Sequence, residues 1–81
     1  MSDTTITVYG TAWCPDVRRA RRFLDQNGVA YDFVDIDKDA AAAVFVEQTN
    51  RGHRSVPTIL FPDGSTLTEP STHELRHKLG L

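Results

Sequence analysis

Only one cysteine occurs in this chain, Cys14. An intramolecular disulfide is therefore impossible, and so is the bridged scaffold that holds most small secreted domains together. A reducing, cytoplasmic setting is the expectation. Long hydrophobic runs are missing too: no stretch approaches the roughly 20 apolar residues that span a bilayer, so no membrane partner is expected. The opening Met1-Ser2-Asp3-Thr4-Thr5 has neither the basic nor the apolar region of a secretory leader. Positive charge is not in excess. The formal net charge of −2 speaks against nucleic acid as a default partner. Repeats, linkers and low-complexity stretches are absent as well, so residues 1–81 read as a single small domain, expected to act as a monomer.

What is present alternates in period. Thr5-Ile6-Thr7-Val8-Tyr9 reads as a strand ending at Gly10. Pro15 to Gln26 reads as a helix with Val17, Ala20 and Leu24 on one face, Phe23 at its edge and Asn27-Gly28 as its stop. Tyr31 to Ile36 is a second strand. Asp37 is placed to cap a helix from Lys38 to about Thr49 that buries Val44 and Phe45. Pro57 to Phe61 is a third strand, and Asp63-Gly64 turns the chain into a fourth, Thr66-Leu67-Thr68. Ser71-Thr72-His73-Glu74 has the pattern of a capping box and opens a last helix with Leu75 and Leu79 inward. The order is βαβαββα: an α/β domain with a small mixed four-stranded sheet flanked by helices. Right-handed crossover puts the start of the first helix at the carboxyl edge of the sheet.

Cys14 falls at that strand-to-helix corner, in Thr11-Ala12-Trp13-Cys14-Pro15-Asp16-Val17. The first N–H groups of a helix have no intrahelical partners, and the helix dipole places partial positive charge there. Both favour thiolate over thiol and make Cys14 the candidate nucleophile. Pro15 suits the first turn, because its fixed φ pre-forms the helix and its missing N–H would have been an orphan. Asp16 opposes the dipole unless it is solvated or paired with Arg19 or Arg54. The run Arg18-Arg19-Ala20-Arg21-Arg22 reads as a solvated helix face, or as a means of steering anionic partners to the rim. His73 and His77 stand four apart on the last helix, but no third ligand joins them at helical spacing, so no metal site is expected.

Three segments carry a resemblance: Trp13-Cys14-Pro15, Ser55-Val56-Pro57-Thr58, and Asp63-Gly64-Ser65-Thr66-Leu67-Thr68 ahead of a capped helix. Together they resemble the thioredoxin fold and, within it, the glutaredoxin family, including its actinobacterial mycoredoxins, over essentially the whole chain. The resemblance implies a thiol–disulfide oxidoreductase acting on thiolated proteins and a low-molecular-weight thiol, mycothiol or glutathione, as co-substrate, with no bound cofactor. It implies that Pro57 is cis and that the backbone of Val56 receives the incoming disulfide. Trp13, Pro15, Arg54, Val56, Pro57, Thr68 and Ser71 become the candidate substrate contacts, with Tyr9 and Thr11 at the border and Arg51 and His53 as weaker candidates. One departure matters. Dithiol members carry a second cysteine three residues after the first, and here that residue is Val17. A monothiol mechanism is the expectation. An iron–sulfur carrier with Cys14 in a shared cluster is the first alternative, although Pro15 replaces the glycine of such carriers. A redox-inert binding module is the second.

Overall fold

The computed structural model describes residues 5–81; all but the last residue of the Met1–Thr5 leader reading lie outside them. The elements are β1 (Ile6–Gly10), α1 (Pro15–Gln26), β2 (Tyr31–Asp35), α2 (Ala40–Thr49), β3 (Thr58–Leu60), β4 (Thr66–Thr68) and α3 (Thr72–Leu79). This is the expected βαβαββα order. The sheet runs β2-β1-β3-β4, with β1 parallel to β2 and antiparallel to β3, and β3 antiparallel to β4.

Alternation along β1 divides the interior in two. Ile6 and Val8 face α1 and α3 and pack with Ala20, Phe23, Leu24, Ile59, Phe61 and Leu75. Tyr9 faces the other way, among Ile36, Ala42, Ala43, Val46, Val34, Phe45 and Val56 under α2. The α1 residues expected inward (Val17, Ala20, Phe23 and Leu24) are the buried ones. Gly28 takes φ 66° just past its end, where a side chain would be strained. The capping box of α3 is formed as the sequence reads: Ser71 Oγ accepts from Glu74 N at 3.0 Å, and Ser71 N donates to Glu74 Oε1 at 2.8 Å.

The second helix departs from expectation. It begins at Ala40, and its cap is Asp39, whose Oδ1 accepts from Ala42 N at 3.0 Å. Asp37 is left in the preceding turn, because Asp35 closes that turn itself. Asp35 Oδ1 takes Asp37 N at 2.9 Å, and Asp35 O takes Lys38 N at 3.0 Å. The buried face is also rotated from the expected one. Ala42, Ala43 and Val46 point inward, Val44 is exposed, and Phe45 is half-buried against the Tyr9 ring at 4.9 Å. Four alanines in a row supply no stripe from which that rotation could be read.

Strand ends shift by a residue or so. β1 takes in Gly10, β2 stops at Asp35, and β3 is trimmed to Thr58–Leu60. The turn after β3 is held by Phe61 N to Ser65 O at 2.9 Å and by Asp63 Oδ1, which accepts from both Ser65 N and Ser65 Oγ. Lys78 of α3 reaches the other oxygen of Asp63 at 3.0 Å. These bonds hold the Asp63 carboxyl well below the usual carboxylate range, with the Ser65 hydroxyl the largest cause.

Candidate active site

Four chain segments converge on one edge of the sheet, and the register shows why. Gly10 ends β1 opposite Asp35, the last residue of β2. Tyr9 pairs with Thr58, so Val56 and Pro57 lie alongside the same end of β1. Thr58 pairs with Thr68, which brings in the turn before α3.

Cys14 is the N-cap of α1, partly exposed, with extended φ −77° and ψ 125°. Its N–H bonds to Thr11 O at 3.4 Å and its carbonyl accepts from Arg18 N at 3.0 Å, so backbone bonds close the corner around the thiol. The thiol makes no capping bond. It is the sole thiol of the chain and stays free for chemistry at the helix end. Pro15 occupies the first turn as expected. Val17 is fully buried, and its side chain lies against Gly10: a Cβ built there would meet the two valine methyls at 2.7 and 2.8 Å. That close approach lets α1 settle directly on the end of β1.

Charges around the corner are mostly committed. Asp16 pairs with Arg19 at 2.9 Å, the first of its two expected partners. Arg18 Nε donates to Ala12 O at 3.3 Å. Arg21 lies over the Phe33 ring at 4.0 Å and donates to the Tyr31 hydroxyl. Of the four arginines on α1, Arg22 is the one without such a link among the described residues. Trp13 is 68% exposed, and its indole N–H donates to Asp37 Oδ2 at 3.2 Å.

Across the edge, the Val56–Pro57 peptide is cis, Pro57 is buried and Val56 half-buried. This agrees with what the family resemblance implied. Glu69 N donates to Pro57 O at 2.8 Å, and Glu69 itself sits at φ 50°, a left-handed conformation costing a non-glycine residue roughly 1–2 kcal/mol. The residue that organises this side is Asn50, which the sequence reading did not single out. Its Nδ2 donates to Val46 O at 2.8 Å and Thr58 Oγ1 at 2.9 Å, and its Oδ1 accepts from Thr68 Oγ1 at 2.6 Å. Thr58 Oγ1 in turn donates to Ser55 O at 2.8 Å. One amide thus joins α2, the segment before Pro57 and the end of β4. An asparagine just past a helix reads as a simple stop signal, so nothing in its local sequence marks it.

The expected substrate contacts divide accordingly. Trp13, Pro15, Val56, Pro57 and Thr68 lie along this edge, and Thr68 spends its proton on Asn50. Ser71 follows on the same turn, its hydroxyl and amide engaged in the capping box. Arg54 is exposed, but Glu47 holds it at 2.7 Å. That hydrogen bond, and then the Glu47 charge, raise the guanidinium's hold on its proton, with a smaller push in the same direction from Asp37. Arg51 stands at φ 58° in the exposed loop that also holds His53. The Tyr9 ring packs against Phe45 under α2, and burial followed by the Asp39 charge pushes its hydroxyl up. Thr11 is buried, and its Oγ1 is without a hydrogen-bond partner. Among the described residues no cluster of three or more His, Cys, Asp or Glu side chains could hold a metal ion. Among the described residues no helix is long and apolar enough to cross a membrane.

A cysteine capping the helix that follows β1, with a cis-proline just before the antiparallel strand paired to β1, is the arrangement of a thioredoxin-like fold. The structure superposes on the thioredoxin-like protein BC3987 with a TM-score of 0.78 and 32% identity, covering 90% of this chain and 97% of that one. It superposes on the glutaredoxin from Methanosarcina mazei Go1 with a TM-score of 0.81 and 24% identity, covering 98% and 81%. The glutaredoxin family model matches residues 6–65. A Mycobacterium tuberculosis relative bearing the glutaredoxin name is 48% identical over 98% of this chain and 94% of its own length. Mycoredoxin 1 of Corynebacterium glutamicum is 38% identical over 94% of each. The chain belongs to the glutaredoxin family, and with it goes a thiol oxidoreductase role.

Proposed function

We propose that this chain is a monothiol oxidoreductase that resolves mixed disulfides between proteins and a low-molecular-weight thiol, with mycothiol as that thiol. The observation that carries the reading is the state of Cys14: the only thiol present, at an open helix N-terminus, with Val17 packed against Gly10 where dithiol members carry their second cysteine. The Cys14 thiolate attacks the small-thiol sulfur of a protein mixed disulfide, and the protein leaves as its own thiolate. A second small-thiol thiolate then attacks the small-thiol sulfur on Cys14, giving the small-thiol disulfide and returning Cys14. The two electrons come from the two small-thiol molecules, and no protein disulfide is needed within the chain. The backbone of Val56 and the turn from Thr68 to Ser71 receive the polar parts of the adduct.

The choice of mycothiol rests on the kinship with mycoredoxin 1 and on the rim charges. Arg54, the basic group that the resemblance offered for a carboxylate, is tied to Glu47, and Asp37 and Glu69 stand exposed on the same edge. That suits a sugar-bearing thiol without ionised carboxylates better than glutathione. The protein acts as a single-domain monomer in a reducing cytoplasm. Mass spectrometry of the protein after mycothiol disulfide and, separately, glutathione disulfide tests the reading. One mycothiol adduct is expected, formed faster than the glutathione adduct. Cys14→Ser is expected to abolish both adduct formation and turnover while the circular dichroism stays native. Residual turnover in that variant, or a faster glutathione adduct, defeats the corresponding part.

A further inference from the structure

A side chain as exposed as Trp13 has little packing to fix it, yet it stands next to the nucleophile. Its one polar handle is the indole N–H, and that handle is taken by Asp37 Oδ2 at 3.2 Å, a bond that spans 24 residues. Asp37 is itself well held. Its N–H is bound by Asp35 Oδ1, the turn is closed by Lys38 N to Asp35 O, and Asp35 pairs with Gly10 in the sheet. Helix α2 is capped by Asp39 instead, so the Asp37 carboxylate is not consumed by the helix it precedes. The chain from the sheet end through Asp35 and Asp37 to the indole is short and hydrogen-bonded at each link.

We propose that Asp37 is the positioning residue for Trp13, setting the indole at the rim beside Cys14 so that an incoming mixed disulfide meets an aromatic face already in place. This rests on the thiol-exchange reading above. Asp37 touches no reacting atom. Its effect is to remove the ordering cost of one exposed side chain from substrate binding, so it acts on KM and leaves the chemistry of the Cys14 corner alone.

Trp13 is the only tryptophan in the chain, so indole fluorescence reports on this one side chain. The kinetic substrate is a peptide carrying a cysteine–mycothiol mixed disulfide, with mycothiol as reductant. Asp37→Ala is expected to lower the indole anisotropy and raise KM about 2- to 10-fold, with kcat within about twofold. Asp37→Asn keeps an oxygen acceptor and is expected to restore both. In a Trp13→Phe background, which has no N–H to hold, Asp37→Ala is expected to leave KM unchanged. Unaltered anisotropy in Asp37→Ala overturns the proposal, and so does an equal KM rise in the Trp13→Phe background. A wild-type chain that exchanges no thiol, with the anisotropy loss and rescue intact, overturns the exchange reading and upholds the Asp37 link to Trp13.

Discussion

The two sides of the site are built on different plans. The Cys14 side runs through eight consecutive positions, Gly10 to Val17, and is closed by backbone bonds between near neighbours. The side facing it has no continuous segment. It is drawn from the end of α2, the residues before β3 and the end of β4, and an Asn50 side chain joins them. The candidate nucleophile therefore sits where geometry depends least on the rest of the chain. The proposed binding surface facing it sits where three distant segments must agree. Reactivity and recognition should then fail separately.

Gly10→Ala strikes the contiguous side and has the largest expected cost. Its Cβ would lie 2.7 and 2.8 Å from the Val17 methyls, and a buried valine cannot turn away, so α1 must move. Overpacking of this kind costs ~3 kcal/mol. Urea unfolding is expected to show that loss, and iodoacetamide to react more slowly with Cys14 because the helix end has moved away from it. An alanine variant of native stability would mean that the close approach does not hold the corner.

Asn50→Ala strikes the other side and sharpens the contrast. Thr58 and Thr68 each lose a partner, at a cost of ~2 kcal/mol. Iodoacetamide, which needs only the thiol, is expected to react with Cys14 at the wild-type rate. Exchange with a mixed disulfide is expected to slow several-fold, because the receiving segments are no longer tied together. Parallel loss of both rates would show the two sides to be one unit.

Asp63 belongs to neither side and provides the smallest effect. Its carboxyl is held below the usual range by Ser65 and Lys78. A depressed folded-state value means stabilisation present above the unfolded value, ~3.9, and lost as pH falls further. Asp63→Asn is expected to melt slightly below wild type at pH 7, the difference closing below about pH 4. Mixed-disulfide exchange at pH 7 should be the same in both proteins.

The local elements of both sides were legible before the structure, and the side chains that tie the assembled side together were not. The start of α1 at Pro15, its buried face and the capping box of α3 all follow from residue types a few positions apart, because helix phase and caps are local properties. The α2 cap misled because three aspartates, Asp35, Asp37 and Asp39, are each competent to cap. The competition was settled by Asp35 being fixed at the end of β2 opposite Gly10. Arg54 looked available for substrate until Glu47, seven residues earlier, came within 2.7 Å.

By itself the sequence determined that there is one cysteine, that it stands at a helix start, and that no second thiol accompanies it in the chain. Covalent identity and short-range backbone preference decide those matters. The tertiary structure alone decided what stands around that thiol: Asp37 on the indole, Glu47 on Arg54, and Asn50 between Thr58 and Thr68. Such partners lie 7 to 24 residues apart in the chain. Their pairing follows from strand register and helix phase set by burial across the whole sheet, which no local pattern encodes.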